Sequence, residues 1–212
     1  MRNPMESWDK SDSTFAPGCH PYREWGYDGF FVPETPFIGP KDLALIRSLI
    51  TAGRPSHRKF IRLINVWADI QIPRYAWQEL DTYRVGATRM SCSTMFKLGT
   101  RNLDRSDFQD GDVDAYDLRR LNRFGERYRA ATGEKKVELL VKIKRHLPEG
   151  FLQMATYHFN YEVALAVYAD RKNHRMPEWS GEDGLCDFIA SLPYMALFLG
   201  AIEEKHRKEE TP

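Results

Sequence analysis

The stretch from Leu147 to Arg171 constrains this 212-residue chain more than any other part of it. Leu147-Pro148-Glu149-Gly150 interrupts a helical pattern, because proline has no amide proton to give a helix and clashes with the preceding turn. Phe151 to Phe159 then reads as a strand that feeds a helix over Asn160 to Arg171, a run without Gly or Pro and rich in helix formers. Asn160 and Arg171 lie eleven positions apart. At about 3.6 residues per turn this is roughly three turns, so both side chains project from nearly the same face, with Val163 or Ala164 and then Val167 between them. An amide and a guanidinium held in line can grip one planar, anionic ligand. Plainer roles stand beside that one: Asn160 as the cap of the helix, and Arg171 as a C-terminal charge that favours the helix dipole.

Upstream of this stretch the pattern changes several times. Residues 1–40 are rich in Pro, Gly and aromatics and read as an extended arm. Residues 41–200 read as one domain, and residues 201–212 as a charged, frayed tail. Within the domain, Lys41 to Ile50 has apolar residues at helical spacing. Phe60 to Ile70 reads as a strand apolar on both faces, which suggests a sheet covered on both sides. Pro73 opens a helix over Arg74 to Asp81, and the polar, small residues 82–96 read as a ligand-contacting loop. After an acidic loop from Asp104 to Asp117 come two helices, Leu118 to Ala131 and Glu134 to Arg145. Asp187 to Leu199 reads as a last helix, kinked or split at Pro193.

Composition excludes some classes of function. With 42% hydrophobic and 29% charged residues the chain is an ordinary globular protein, and a net charge of +1 makes no global case for a nucleic-acid or membrane partner. Arg119, Arg123 and Arg127 recur every four residues, but Asp114, Asp117 and Glu126 lie close by, so that face reads as solvated or as a subunit contact. Cys19, Cys92 and Cys186 are odd in number and far apart, with no CxxC pair, so neither a disulfide framework nor a metal site is expected. No apolar run reaches the length of a membrane span and the N-terminus lacks a signal-peptide core, so a cytoplasmic protein is expected.

The order Leu-Pro, twelve positions to an Asn, eleven to an Arg resembles the C-terminal half of the flavin-dependent thymidylate synthases, in which a strand runs into a helix written N-x-R-x-L-x-x-F-x-x-x-R. Asn160 and Arg171 match both ends, and Glu162 stands where the family usually has Arg. The upstream half resembles the family's strand, Pro corner and helix leading into R-H-R-x-x-S and then S-x-R. Counted from Pro73, Thr82-Tyr83-Arg84 falls on R-H-R, and Arg84 alone matches. With one inserted residue, Thr88 falls on the first Ser and Ser93 on the second, and Met95 replaces the last Arg. The resemblance covers about residues 55–180.

The resemblance implies an α/β fold of the α+β type, a largely antiparallel sheet with flanking helices. It also implies a homo-oligomer, a tetramer, with sites between subunits. It implies FAD as cofactor, methylenetetrahydrofolate as one-carbon donor, and a uridine-type nucleotide such as dUMP, methylated at C5. Ser93 takes the catalytic position; Arg84, Thr88, Ser93 and Arg171 take the nucleotide. Arg84 and Asn160 take the flavin, with His174 beside Arg171 able to line the same site or to sit in solvent. No metal is implied. Arginine binds phosphate through a planar fork, and each lost charged contact costs about 1.5–3 kcal/mol. The altered arginines therefore leave three readings: an enzyme of this type, an inactive member that binds, senses or sequesters a nucleotide, or a structural oligomer with no small ligand.

Overall fold

The computed structural model describes residues 11–16, 35–52, 55–91 and 97–210. Most of the aromatic arm, and Ser93 with Cys92 and Met95, lie outside the described residues. In chain order the main elements are β1 (Thr14–Ala16), β2 (Thr35–Phe37), α1 (Pro40–Thr51), β3 (Asn65–Pro73), α2 (Arg74–Leu80) and β4 (Ala87–Ser91). Then follow α3 (Ala115–Ala130), α4 (Gly133–His146), β5 (Leu152–Asn160), α5 (Tyr161–Arg171), α6 (Pro177–Ser180), α7 (Leu185–Ser191) and α8 (Met195–Glu210).

The residues group into two units, Met1–Lys59 with Tyr194–Pro212, and Phe60–Pro193. In the smaller unit β1 and β2 pair antiparallel and α1 packs with α8. The Asp12 carboxylate accepts the Lys41 and Asp42 amides at 2.8 and 3.0 Å, supplying acceptors for two of the donors that a helix start leaves free. The tail expected to fray after residue 200 is helical to Glu210.

The larger unit is built on a three-stranded antiparallel sheet in the order β3–β5–β4. The mixed helical and antiparallel architecture is the α/β fold of α+β type that the sequence implies. β5 is central: Asn65 pairs with Asn160 and Pro73 with Leu152 on one side, and Ala87 pairs with Phe159 on the other. Side chains alternate between faces along each strand. Ala155, Tyr157 and Phe159 are buried, and Tyr157 and Phe159, with Leu80, Val163, Val167, Leu185 and Ile189, line one small void between the sheet and α2, α5 and α7. Trp67, Asp69, Gln71, Met154, Thr156, His158, Thr88 and Met90 share the opposite face. There Trp67 is 67% exposed and Met90 71% exposed. The expectation of a sheet covered on both sides is therefore corrected within this unit. Residues 60–63 belong to a 3-10 turn, where Ile61 is buried and Leu63 is open to solvent, so the strand starts at Asn65.

β4 lies inside the segment expected to be a loop. Ala87-Thr88-Arg89-Met90-Ser91 has no apolar alternation, and it is a strand because β5 offers a free edge. A second cluster of Leu98, Phe108, Val113, Leu121, Ile143 and Leu147 anchors the α3–α4 hairpin.

Asn160 closes the central strand and opens α5. It is 6% exposed, and its Oδ1 accepts the Val163 amide at 3.0 Å, the N-cap arrangement. Gly86, at φ +87°, turns the chain into β4 beside it, and a Cβ there would overlap the Asn160 amide. At the other end of α5, Arg171 is ion-paired with Glu79 of α2 at 2.5 Å. Its Nε donates to Tyr83 Oη at 3.3 Å, and its guanidinium lies 4.8 Å from the centre of the Trp179 ring in α6. Tyr83 in turn donates to Asp170 at 3.0 Å. These contacts join α2, α5 and α6.

Asn160→Ala is expected to cost about 1–2 kcal/mol through the lost cap, read as a lower urea midpoint with an unchanged m-value. Arg171→Ala is expected to cost about 1–3 kcal/mol, because Glu79 loses its partner and Trp179 its cover. A cycle with Glu79→Gln should show non-additive losses, and additive ones would mean that the pair is energetically silent.

Candidate functional site

The turn between α2 and β4 forms the site. Leu80 is buried and ends α2, and residues 81–86 run along the surface into β4. The wall behind them is the central strand, which contributes Tyr157. Asp81, Tyr83, Arg84, Ala87, Arg89 and Tyr157 line an open cavity of about 420 Å³.

Its chemistry is cationic with one carboxylate. Arg89 Nη1 is 3.1 Å from Asp81 Oδ2, and its guanidinium sits 4.9 Å from the centre of the Trp77 ring. Trp77 is fixed in turn by its indole N–H, which donates to the Gln153 carbonyl at 2.8 Å. Arg89 is thus oriented from two sides. Arg84 is exposed, and its Nε donates to the Asp81 carbonyl at 3.1 Å. The two arginines outnumber Asp81, so the cavity favours an anion. Tyr157 is 3% exposed and its hydroxyl has no hydrogen-bond partner among the described residues. Burial first, and then the charge of Asp81, push its pKa up to about 12, so at neutral pH it stands as a protonated donor. A buried hydroxyl left unmatched costs about 1–3 kcal/mol, and a ligand oxygen would relieve that cost.

The residues expected from the sequence divide between this cavity and the interior. Arg84 lines it, and Thr88 is exposed on β4 directly beside two lining residues, Ala87 and Arg89. Strand alternation sends Thr88 to the open face with His158, its partner across β5. Asn160 and Arg171 do not line the cavity, and each is bound to internal partners. His174 accepts the Met176 amide at 3.3 Å, lies 3.8 Å from Glu79, and packs edge-on against Trp179 at 6.0 Å. Ser93 lies outside the described residues.

Tyr157 and Asp81 are members of the cavity that the sequence reading did not single out. The signal for Tyr157 was its parity: it shares the inward face of β5 with Ala155 and Phe159, a position where a hydroxyl needs a partner. For Asp81 the sequence offers no such mark.

The three residues implied for flavin, Arg84, Asn160 and His174, do not form one cradle within the chain. Asn160 and His174 are held by internal contacts, and Arg84 alone faces the cavity. Within one chain they do not bring together the several donors that a flavin pyrophosphate calls for. Among the described residues no group of three or more His, Cys, Asp or Glu is placed to hold a metal ion, and no single helix is long and apolar enough to cross a membrane.

No family model and no curated protein matches the sequence. Solved structures do match by fold. One is a flavin-dependent thymidylate synthase ThyX from Helicobacter pylori complexed with FAD and dUMP, at 17% identity and a TM-score of 0.54, over 77% of this chain and 84% of that one. A second structure of thymidylate synthase X from Helicobacter pylori, with FAD and dUMP, matches at 16% identity and a TM-score of 0.54, over 86% of this chain and 89% of the other. By these likenesses this chain has the flavin-dependent thymidylate synthase fold.

Proposed function

We propose that this chain is a thymidylate synthase-like protein that binds a uridine-type nucleotide, such as dUMP, in the cavity between the α2–β4 turn and β5. The carrying observation is a cavity lined by Arg84, Arg89 and Tyr157, a residue whose buried hydroxyl has no partner among the described residues. A phosphate would take charge-assisted hydrogen bonds from the arginines, and a ligand oxygen would accept from Tyr157. The Asp81 carboxylate, already placed against Arg89, would turn that guanidinium without contacting an anion itself. The fold, which the two thymidylate synthase X complexes share, supports a nucleotide as the ligand class.

Binding, sensing or sequestering the nucleotide is the reading we favour over methylation with FAD and methylenetetrahydrofolate. Two of the three residues that the resemblance assigns to flavin, Asn160 and His174, are tied to internal partners, so no step through the cofactor is derived. A homo-oligomer, a tetramer on the resemblance, goes with this reading, because Trp67, Met90 and Met154 are each exposed on the outer sheet face.

Thermal shift with dUMP, UMP and FAD tests the proposal, since a ligand that binds the native state raises the melting temperature. A uridine nucleotide should raise it and FAD should not; a flavin-yellow preparation would instead support the enzyme. Tyr157→Phe is the sharper test. It removes an unmatched donor, so the fold should hold or gain stability, while nucleotide affinity falls about five- to tenfold. Arg84→Ala should weaken binding on the order of tenfold or more without unfolding the protein. Unchanged affinity in both variants would place the ligand elsewhere. Sedimentation of wild type and Trp67→Glu should show an oligomer that the substitution weakens.

A further inference from the structure

The net charge of +1 conceals a local imbalance. The α3–α4 hairpin, residues 115–146, holds ten Arg and Lys against four Asp and Glu, a net +6, so the other residues together carry −5. All five basic residues of α3 are arginines. Leu118, Leu121, Phe124 and Tyr128 turn one side of this helix into the core cluster. At about 100° per residue, Tyr116, Arg120, Arg123 and Arg127 fall within an arc of about 60° on the side away from that cluster, and Arg119 lies about 40° beyond. The arc contains no carboxylate.

The stripe is open. Arg119, Arg123 and Arg127 are exposed, and none has an ion pair among the described residues. Tyr116 is 64% exposed. Arg120 leans on Phe124 at 5.7 Å, which orders its guanidinium while leaving its charge uncompensated. Like charges four residues apart on a helix repel by a few tenths of a kcal/mol per pair, and no internal contact offsets this. Arg129, by contrast, is taken up by the Gly99 carbonyl and Asn102.

We propose that this face of α3 binds single-stranded nucleic acid through its phosphodiester backbone. Guanidinium forks suit phosphates better than ammonium groups do, and an exposed tyrosine in line with them offers a platform on which a base can stack. The stripe from Tyr116 to Arg127 is about 16 Å long, the span of about five stacked nucleotides of one strand. A lipid surface is disfavoured because the apolar side of α3 is buried in the core and cannot enter a bilayer. From sequence this face reads as solvated or as a subunit contact because acids lie near it, but Asp117 and Glu126 flank the arc instead of entering it.

The test is fluorescence anisotropy with labelled oligoadenylates, one of DNA and one of RNA, each about twelve nucleotides long. Arg84→Ala, which weakens phosphate binding in the cavity, shows whether the cavity contributes to the signal, and it should bind the adenine-only probes like wild type. With about four phosphate contacts the salt slope for a single strand is about −2.8, a loss of about fifty-fold between 50 and 200 mM salt. The variant Arg119→Gln/Arg123→Gln/Arg127→Gln should cut the slope to about −0.7 and abolish binding at the higher salt, and Tyr116→Ala should weaken binding at every salt concentration. If the triple variant misfolds by circular dichroism, Arg123→Glu alone serves, with an expected loss of tenfold or more. Preference for one probe over the other assigns RNA or DNA. No binding at 50 mM salt, binding untouched by the variants, equal retention of the stripe by polyglutamate, or a triple variant that merely dissociates an oligomer would each overturn the proposal.

Discussion

The larger unit turns on one side chain. Asn160 is the last residue of the central strand and the cap of the buried helix that follows, so a single amide ends the β5 ladder and supplies α5 with its first acceptor. No loop intervenes, and α5 must therefore lie back across the sheet it came from. Gly86 is pressed against the same amide at a positive φ, which brings the entry of β4 to the same point. Strand order, helix position and the α2–β4 turn are all referred to this one junction. The cavity beneath that turn is its by-product: β4 starts where Asn160 lets the chain approach, and Arg89 and Tyr157 meet as cross-strand partners.

The opposite end of α5 is held by charge. Arg171 pairs with Glu79, touches Tyr83 and covers Trp179, which locks the helix to α2 and α6. A group spent this way cannot also grip a phosphate without releasing a carboxylate. The proposed site for an anionic ligand therefore rests on Arg84, which is exposed, and on Arg89, which Asp81 and Trp77 orient. Both Arg171 and Arg89 are matched by carboxylates, and of the three arginines Arg84 is the one open to solvent.

Much of the fold was legible because its signals are local. Pro73 and Leu147-Pro148 mark corners, the run after Asn160 has helix formers only, and the α3 and α4 stripes have clean period. The capping role of Asn160 was also readable from residue type. β4 was not, since Thr88, Arg89 and Met90 carry no strand pattern and owe their conformation to an unpaired edge of β5. Nor was the exposure of Trp67, because an apolar residue on a strand does not say whether a second layer covers it. At the site, Arg84 could be found by register alone, whereas Tyr157 and Asp81 required knowing which face of β5 is inward and where the turn lies.

Chain chemistry by itself determined most of the helices and the strands β3 and β5, the strand-to-helix junction at Asn160 and the resemblance of spacing that points to the thymidylate synthase architecture. These depend on neighbours within a few residues, through backbone restrictions and side-chain periodicity. Tertiary structure alone decided which polar groups are free. Arg171 and Glu79 stand 92 positions apart, and Arg89 and Tyr157 are 68 apart, yet each pair meets in space. Whether a guanidinium is consumed by a carboxylate or left open to a ligand is a question of distance and desolvation, and neither is written in spacing along the chain.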